Sequence, residues 1–238
     1  KNISIAIPIL PNGTFDLETQ KNIIEKYNVI TDLKAKAKEY QHRIKNLKIK
    51  IDHSLESQKF KEILIGEIFI TKKGLSKYTR SYGQLHKGEY PVYSGSNVAP
   101  IIFIDTYDYD GEYLSWVVDG FAGYMSVLKG KFSATGHKGI LLPKSTQIDI
   151  NYVKFILEPI LRELAKGRKG DNGSNEYTNV APTVVENVTI PIPILSDGSF
   201  DLEIQQEIAQ KYQKIDEIKA TIQNEFAKIQ KVSIDISM

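Results

Sequence analysis

The spacing of apolar positions changes along the chain. From Asp16 to Gln58, a small or branched apolar residue recurs every seven positions at Ile23, Ile30, Ala37, Ile44 and Ile51. Leu33, Tyr40 and Leu47 stand three residues after their predecessors in that row. The pattern returns near the other end at Ile208, Ile215, Ile222 and Ile229, with Ile218 and Val232 in the offset row. Sustained spacing of this kind predicts two long helices with coiled-coil seams. A helix from Asp16 to Gln58 would run roughly 60 Å, which weighs against two amphipathic helices lying on one small globular core. The chain between them must leave and return, so the pair is expected to be antiparallel. From about Phe60 to Glu186 the period is two. The runs EILIGEIFI, EYPVYSG, APIIFID, EYLSWVV, GYMSVLKG and HKGILLP, divided by Gly, Ser, Asn and Asp, predict strands with tight connections. Val153, Ile156, Leu157, Ile160, Leu161 and Leu164 predict one helix near Ile150 to Ala165. The expected fold class is α+β, a mixed α/β domain flanked by two long helices.

A repeat frames this middle domain. Asn2 to Gln20 returns as Asn187 to Gln205 at an offset of 185, and 18 of the 34 positions from 2 to 35 are identical to their counterparts. Each copy opens on an alternating apolar run containing Pro, which suits an edge strand or extended segment. Asn12-Gly13 and Asp197-Gly198 supply a turn. Asp16 and Asp201 then stand where a helix N-cap belongs.

Composition narrows the class. The 238 residues carry 31 basic and 29 acidic side chains, with 41% hydrophobic content, which describes an ordinary globular protein able to bury a core. No run approaches the ~20 apolar residues of a membrane span, and no signal-peptide pattern opens the chain. Zero cysteines exclude disulfides and thiolate zinc sites and suit a cytoplasmic location. Lys1 in place of methionine suggests a fragment or a processed chain. Basic residues gather in loops rich in Ser, Thr, Tyr and Asn: Lys72, Lys73, Lys77 and Arg80, then Lys129, Lys131, Lys138 and Lys144, then Lys166, Arg168 and Lys169. Such loops are what phosphate anchoring and base reading require, although solvated basic loops are also common.

No catalytic set assembles. Gly130-Lys131 is followed by Phe132, so it is not a phosphate loop, and no Gly-x-Ser-x-Gly elbow occurs. His42, His53, His86 and His137 lack metal-ligand spacing, and Asp108, Asp110 and Glu112 read as a solvated acidic turn, so no metal site is expected. Glu217 and Lys219 lie on a heptad helix as surface charge, and Trp116 reads as core.

The twofold IPIPxL…G.FDLE.Q pattern, at Ile7 to Gln20 and Ile190 to Gln205, and the heptad helices after it resemble the specificity subunit of type I restriction–modification systems. The segments Lys72 to Asn97, Asp119 to Lys144 and Lys166 to Val180 look like that family's target-recognition domain. The resemblance implies a conserved extended segment and turn at 1–16, a first long helix at 17–59, a target-recognition domain at 60–186, the repeated segment at 187–200 and a second helix at 201–238. It further implies a non-catalytic subunit reading one half-site of a bipartite double-stranded DNA target from the major groove. Adenine methyltransferase (modification) subunits would dock on it, joined by a restriction/translocase subunit. S-adenosylmethionine and ATP with Mg²⁺ would belong to those partners, with no cofactor in this chain. One recognition domain between two repeats, where a complete subunit carries another ahead of the first, implies either a missing upstream half or a half-subunit forming a homodimer.

Within that reading the residues expected to read bases are Ser76, Tyr78, Thr79, Ser96, Asn97, His137, Asn172, Ser174 and Asn175. Phosphate anchors are expected at Lys73, Lys77, Arg80, Lys131, Lys138, Arg168 and Lys169. The seam is assigned to Ile23, Ile30, Leu33, Ala37, Tyr40, Ile44, Leu47 and Ile51 of the first helix, and to Ile208, Ile215, Ile218, Ile222 and Ile229 of the second. Three other readings stay open: a coiled-coil adaptor binding protein partners, the recognition portion of a fused type II restriction–modification enzyme, and an enzyme domain with a dispersed active site.

Overall fold

The computed structural model describes residues 6–45, 58–95, 99–168 and 177–232. The chain divides into two compact units, Lys1–Asp52 with Gln213–Met238, and His53–Tyr212.

In the second of these, β1 (Lys59–Leu64) leads through one helical turn, α2 (Ile65–Ile68), into β2 (Phe69–Lys73). The run EILIGEIFI, expected as a single strand, is therefore two. Ile65 and Ile68 bury themselves at the break, where the Ile65 N–H donates to the Val188 carbonyl at 2.9 Å. There follow α3 (Arg80–Leu85), β3 (Lys87–Tyr93), β4 (Ile102–Ile104), β5 (Tyr109–Val117), β6 (Asp119–Gly120), β7 (Met125–Ala134) and β8 (Lys138–Pro143). Then come α4 (Ile150–Leu164), β9 (Lys166–Arg168), β10 (Tyr177–Asn179), α5 (Pro182–Glu186) and β11 (Thr189–Ile194).

Six strands form one sheet in the order β2-β8-β5-β7-β3-β4, antiparallel except where β3 runs parallel to β7. The period-two runs place Leu114, Trp116, Phe132, Ile140 and Leu141 in its core. Trp116 is fully buried, as expected, and its indole N–H donates to the Val180 carbonyl at 3.0 Å. Gly139 lies across the ring so closely that a Cβ there would stand 2.2 Å from it, and only glycine fits. The predicted helix is α4. Asp149 Oδ1 caps it by accepting from the Tyr152 N–H at 2.7 Å, and Tyr152, Val153, Ile156, Leu157 and Leu161 are its buried face.

The second copy of the repeat closes this unit. β11 pairs antiparallel with β1, from Lys59↔Ile194 to Leu64↔Thr189, so the two ends of this β-rich stretch lie side by side. Pro191 and Pro193 are tolerated because this is a two-stranded ribbon with open edges. Asp201 Oδ1 accepts from the Ile204 N–H at 3.0 Å and caps α6 (Leu202–Lys231). In the first turns of α6, buried Gln205 donates to the Gln147 carbonyl and accepts from the Asp149 N–H. Tyr212 stacks on Phe155 with ring centroids 5.4 Å apart.

The other unit holds α1 (Leu17–Lys45) and the remainder of α6. Both long helices are present, and Gln230 Nε2 donates to the Lys34 carbonyl at 2.7 Å. Their inward stripe departs from the expected seam. Ile23, Ile30, Ala37 and Ile44 face inward, as do Ile215 and Ile222, but Leu33, Tyr40, Ile218 and Ile229 are exposed. The second inward row takes the residue four places after each heptad position: Lys34, Gln41, Lys219 and Phe226. The inward positions still alternate by four and three residues, so the heptad spacing holds and the isoleucine row takes the second place of each heptad seam pair rather than the first. Ile208 is buried, in the recognition unit rather than in this one. Leu47 and Ile51 lie outside the described residues.

Candidate nucleic-acid interface

One group of loops in the recognition unit gathers polar side chains around Asp119. The turn after β2 meets the turn before β8: the Gly74 N–H donates to the Lys138 carbonyl, the Leu75 N–H donates to the Ala134 carbonyl, and Ser76 Oγ lies over Gly136. Only a glycine permits that approach, because a Cβ on Gly136 would stand 2.8 Å from Ser76 Oγ. β6 joins the small sheet β6-β10-β9 through Thr178↔Gly120 and Asn179↔Asp119. Asp119 then collects donors from three elements. Lys73 Nζ is 3.8 Å and His137 Nδ1 3.3 Å from Oδ2, and Asn179 Nδ2 donates to Oδ1 at 2.5 Å. Beside this group Arg168 lies over the Tyr177 ring at 4.4 Å, and Phe121 is exposed.

The structure sorts the expected site residues. Ser76, Lys73 and His137 are exposed and come together, while Lys77 is exposed over the rings of Tyr78 and Tyr82 and Arg168 over that of Tyr177. Arg80 is exposed as the first residue of α3. Lys131 belongs to another group: its Nζ lies 4.9 Å from the Tyr107 ring and 5.9 Å from that of Tyr90, and these rings raise its pKa. Thr79 is exposed, but its hydroxyl accepts from the Tyr82 N–H as the cap of α3. Ser96, Asn97, Lys169, Asn172, Ser174 and Asn175 lie outside the described residues.

Two expectations are overturned. Tyr78 is buried, and its hydroxyl donates to Asp108 Oδ1 at 2.8 Å, so it faces the core and no base. Burial pushes its phenol up to about 12. Lys138 is also fully buried, at the start of β8, where Lys138, Gly139, Ile140 and Leu141 are all covered. Its Nζ donates to Ser126 Oγ at 3.1 Å, and desolvation drops the amine to about 8, so it anchors no phosphate. Sequence reasoning missed Asp119, Asn179, Phe121 and Tyr177. The available signal was Asp119-Gly120 directly after a strand, a turn that projects the side chain it carries.

Among the described residues no group of three or more His, Cys, Asp or Glu side chains could hold a metal ion, and no helix is long and apolar enough to cross a membrane. Residues 57–231 match the family model described as the type I restriction modification DNA specificity domain. The chain belongs to this specificity-domain family. A provisionally assigned type I specificity subunit of Mycoplasma pneumoniae is 30% identical over 155 residues, covering 64% of this chain and 39% of that protein. The specificity subunit of the type I restriction enzyme MpnII from the same organism is 35% identical over 82 residues, 34% of this chain and 25% of that protein. The chain thus spans well under two thirds of the length of these relatives. Among solved structures, a chain from the assembling type I R-M system superimposes with a TM-score of 0.64 over 94% of this chain and 58% of that one, at 16% identity. The S subunit from M. genitalium superimposes with a TM-score of 0.50 over 93% of this chain and 59% of that one, at 17% identity. These likenesses show that the α+β fold with long flanking helices is shared with those chains.

Proposed function

We propose that this chain is the DNA-reading component of a type I restriction–modification complex. Its recognition domain takes one half-site of a bipartite target from the major groove. The observation that supports this most is the grouping of exposed Lys73, Ser76 and His137 in the loops around Asp119, with Lys77 next to Ser76 in sequence and Arg168 over the exposed Tyr177 ring. Cations there would anchor phosphates, and the polar tips would meet base edges. Arg80 and Lys169 are offered as further phosphate anchors, and Ser96, Asn97, Asn172, Ser174 and Asn175 as further base readers from sequence segments of matching composition.

The long helices would be antiparallel, set the distance to a second half-site and dock adenine methyltransferase subunits, which would bring S-adenosylmethionine. A restriction/translocase subunit would bring ATP and Mg²⁺. The first repeat copy would carry a second recognition domain, supplied upstream in the chain or by a second copy of it. Such a complex would work in the cytoplasm.

Titrating the chain with random and selected duplexes across a salt series tests the reading. Affinity should fall steeply with salt, and Lys77→Ala with Arg168→Ala should weaken all sequences and reduce the logarithmic slope by about two. No salt-sensitive affinity would overturn it in favour of a protein-binding adaptor, a reading favoured by the exposed Leu33, Tyr40, Ile218 and Val232 on the long helices.

A further inference from the structure

The described loops that meet around β6 carry four cations, Lys73, Lys77, Lys166 and Arg168, and a single carboxylate, Asp119. A carboxylate repels phosphates, so its place among these cations calls for a role other than anchoring. We propose that Asp119 is a positioning residue that makes His137 the reader of an exocyclic amine, adenine N6 or cytosine N4. The inference rests on the DNA-reading function proposed above.

The argument is one of orientation. Asp119 accepts a hydrogen bond from Asn179 on one oxygen and has Lys73 Nζ 3.8 Å from the other, and β6–β10 pairing fixes its backbone. The imidazole nitrogen facing it is Nδ1, 3.3 Å from Oδ2, and the carboxylate's charge favours the tautomer with the ring hydrogen on that side. Nε2 is left with its lone pair and has no partner among the described residues, on a side chain that is 64% exposed. A neutral Nε2 accepts and does not donate. In the major groove the hydrogen-bond donors are the amines of adenine and cytosine, while guanine and thymine present acceptors. The other carboxylate–histidine pair, Asp105 with His86 at 3.5 Å, lacks this freedom because its ring lies stacked on Tyr82 at 4.1 Å between centroids. It provides an internal control.

Duplex selection from a randomised library at pH 8, where imidazole side chains are ordinarily neutral, tests the assignment on the full chain. The wild type should select adenine or cytosine at one position. His137→Ala should lose about tenfold discrimination at that position alone, with the salt slope unchanged. Asp119→Asn should relax the same position, and the double variant should add nothing further. His86→Ala should leave selection intact. Replacing the selected base by its analogue without the amine should weaken the wild type and leave His137→Ala unaffected, a comparison that stands even if Asp119→Asn fails to fold. The assignment falls if the position contacted is guanine or thymine, if His137→Ala selects as the wild type does, or if Asp119→Asn relaxes every position equally. A wild type that selects nothing overturns instead the DNA-reading function itself.

Discussion

The two copies of the repeat build the same local structure in different surroundings. In each, an isoleucine bridges to a phenylalanine six residues on, Ile9↔Phe15 and Ile194↔Phe200. In each, the glycine of the turn has positive φ, 81° at Gly13 and 85° at Gly198, and an aspartate caps the helix that follows. Their burial differs sharply. Ile192 is fully buried where its counterpart Ile7 is 48% exposed. Gln205 is buried between Gln147 and Asp149, and Tyr212 rests on Phe155, while Tyr27 is exposed. Short-range chemistry dictates the turn and the cap, whereas a partner domain decides whether the apolar and amide groups are covered. The second copy has that partner in β1 and α4.

Paired substitutions bear directly on this difference. Ile192→Ala should destabilise the full chain by ~3 kcal/mol in denaturant unfolding, and Ile7→Ala by under ~0.5 kcal/mol, since only the first leaves a cavity. Equal losses would show that the copies are equally covered. Gln205→Ala strands the Gln147 carbonyl and Asp149 N–H and should cost ~1–3 kcal/mol, with faster hydrogen exchange at Asp149, while Gln20→Ala should be near neutral. The caps should behave alike, because they are local. Asp16→Ala and Asp201→Ala should each cost about 1 kcal/mol, and a gap between them larger than that value would show that burial reaches the cap.

The smallest effect is in acid. Hydrogen bonds from the Thr19 N–H and hydroxyl lower the Asp16 pKa, and those from the Ser199 hydroxyl and N–H lower that of Asp197. A carboxyl lowered in the folded state stabilises it above the ordinary aspartate pKa, and that contribution disappears as pH falls through the folded value. Stability measured from pH 5 downward should therefore lose a small increment in both copies. Asp197→Asn, which copies Asn12 of the first repeat, should flatten the second copy's share and leave the first's.

The sequence made much of this fold legible. Heptad rows announced both long helices, alternation announced the strands, and the spacing of Val153 to Leu164 placed α4 within a residue. What stayed hidden depends on neighbours distant in sequence. Nothing near Leu33 says that Lys34 is the residue turned inward, because positions three and four after Ile30 both flank its row and the partner decides which one is covered. Lys138 and Tyr78 looked like surface groups by type, yet the covered start of β8 buried one and Asp108 drew in the other. Asp119 carried no local signal beyond the Asp-Gly pair it forms with Gly120. Its company of Lys73, His137 and Asn179 spans more than a hundred positions and exists only once the strands are paired.

The ribbon of β1 and β11 closes the recognition domain at its own root, so the segment enters and leaves through a single doorway. A body attached in this way transmits little of its internal variation to the chain outside. Substitutions in its loops leave the six paired positions of the ribbon untouched.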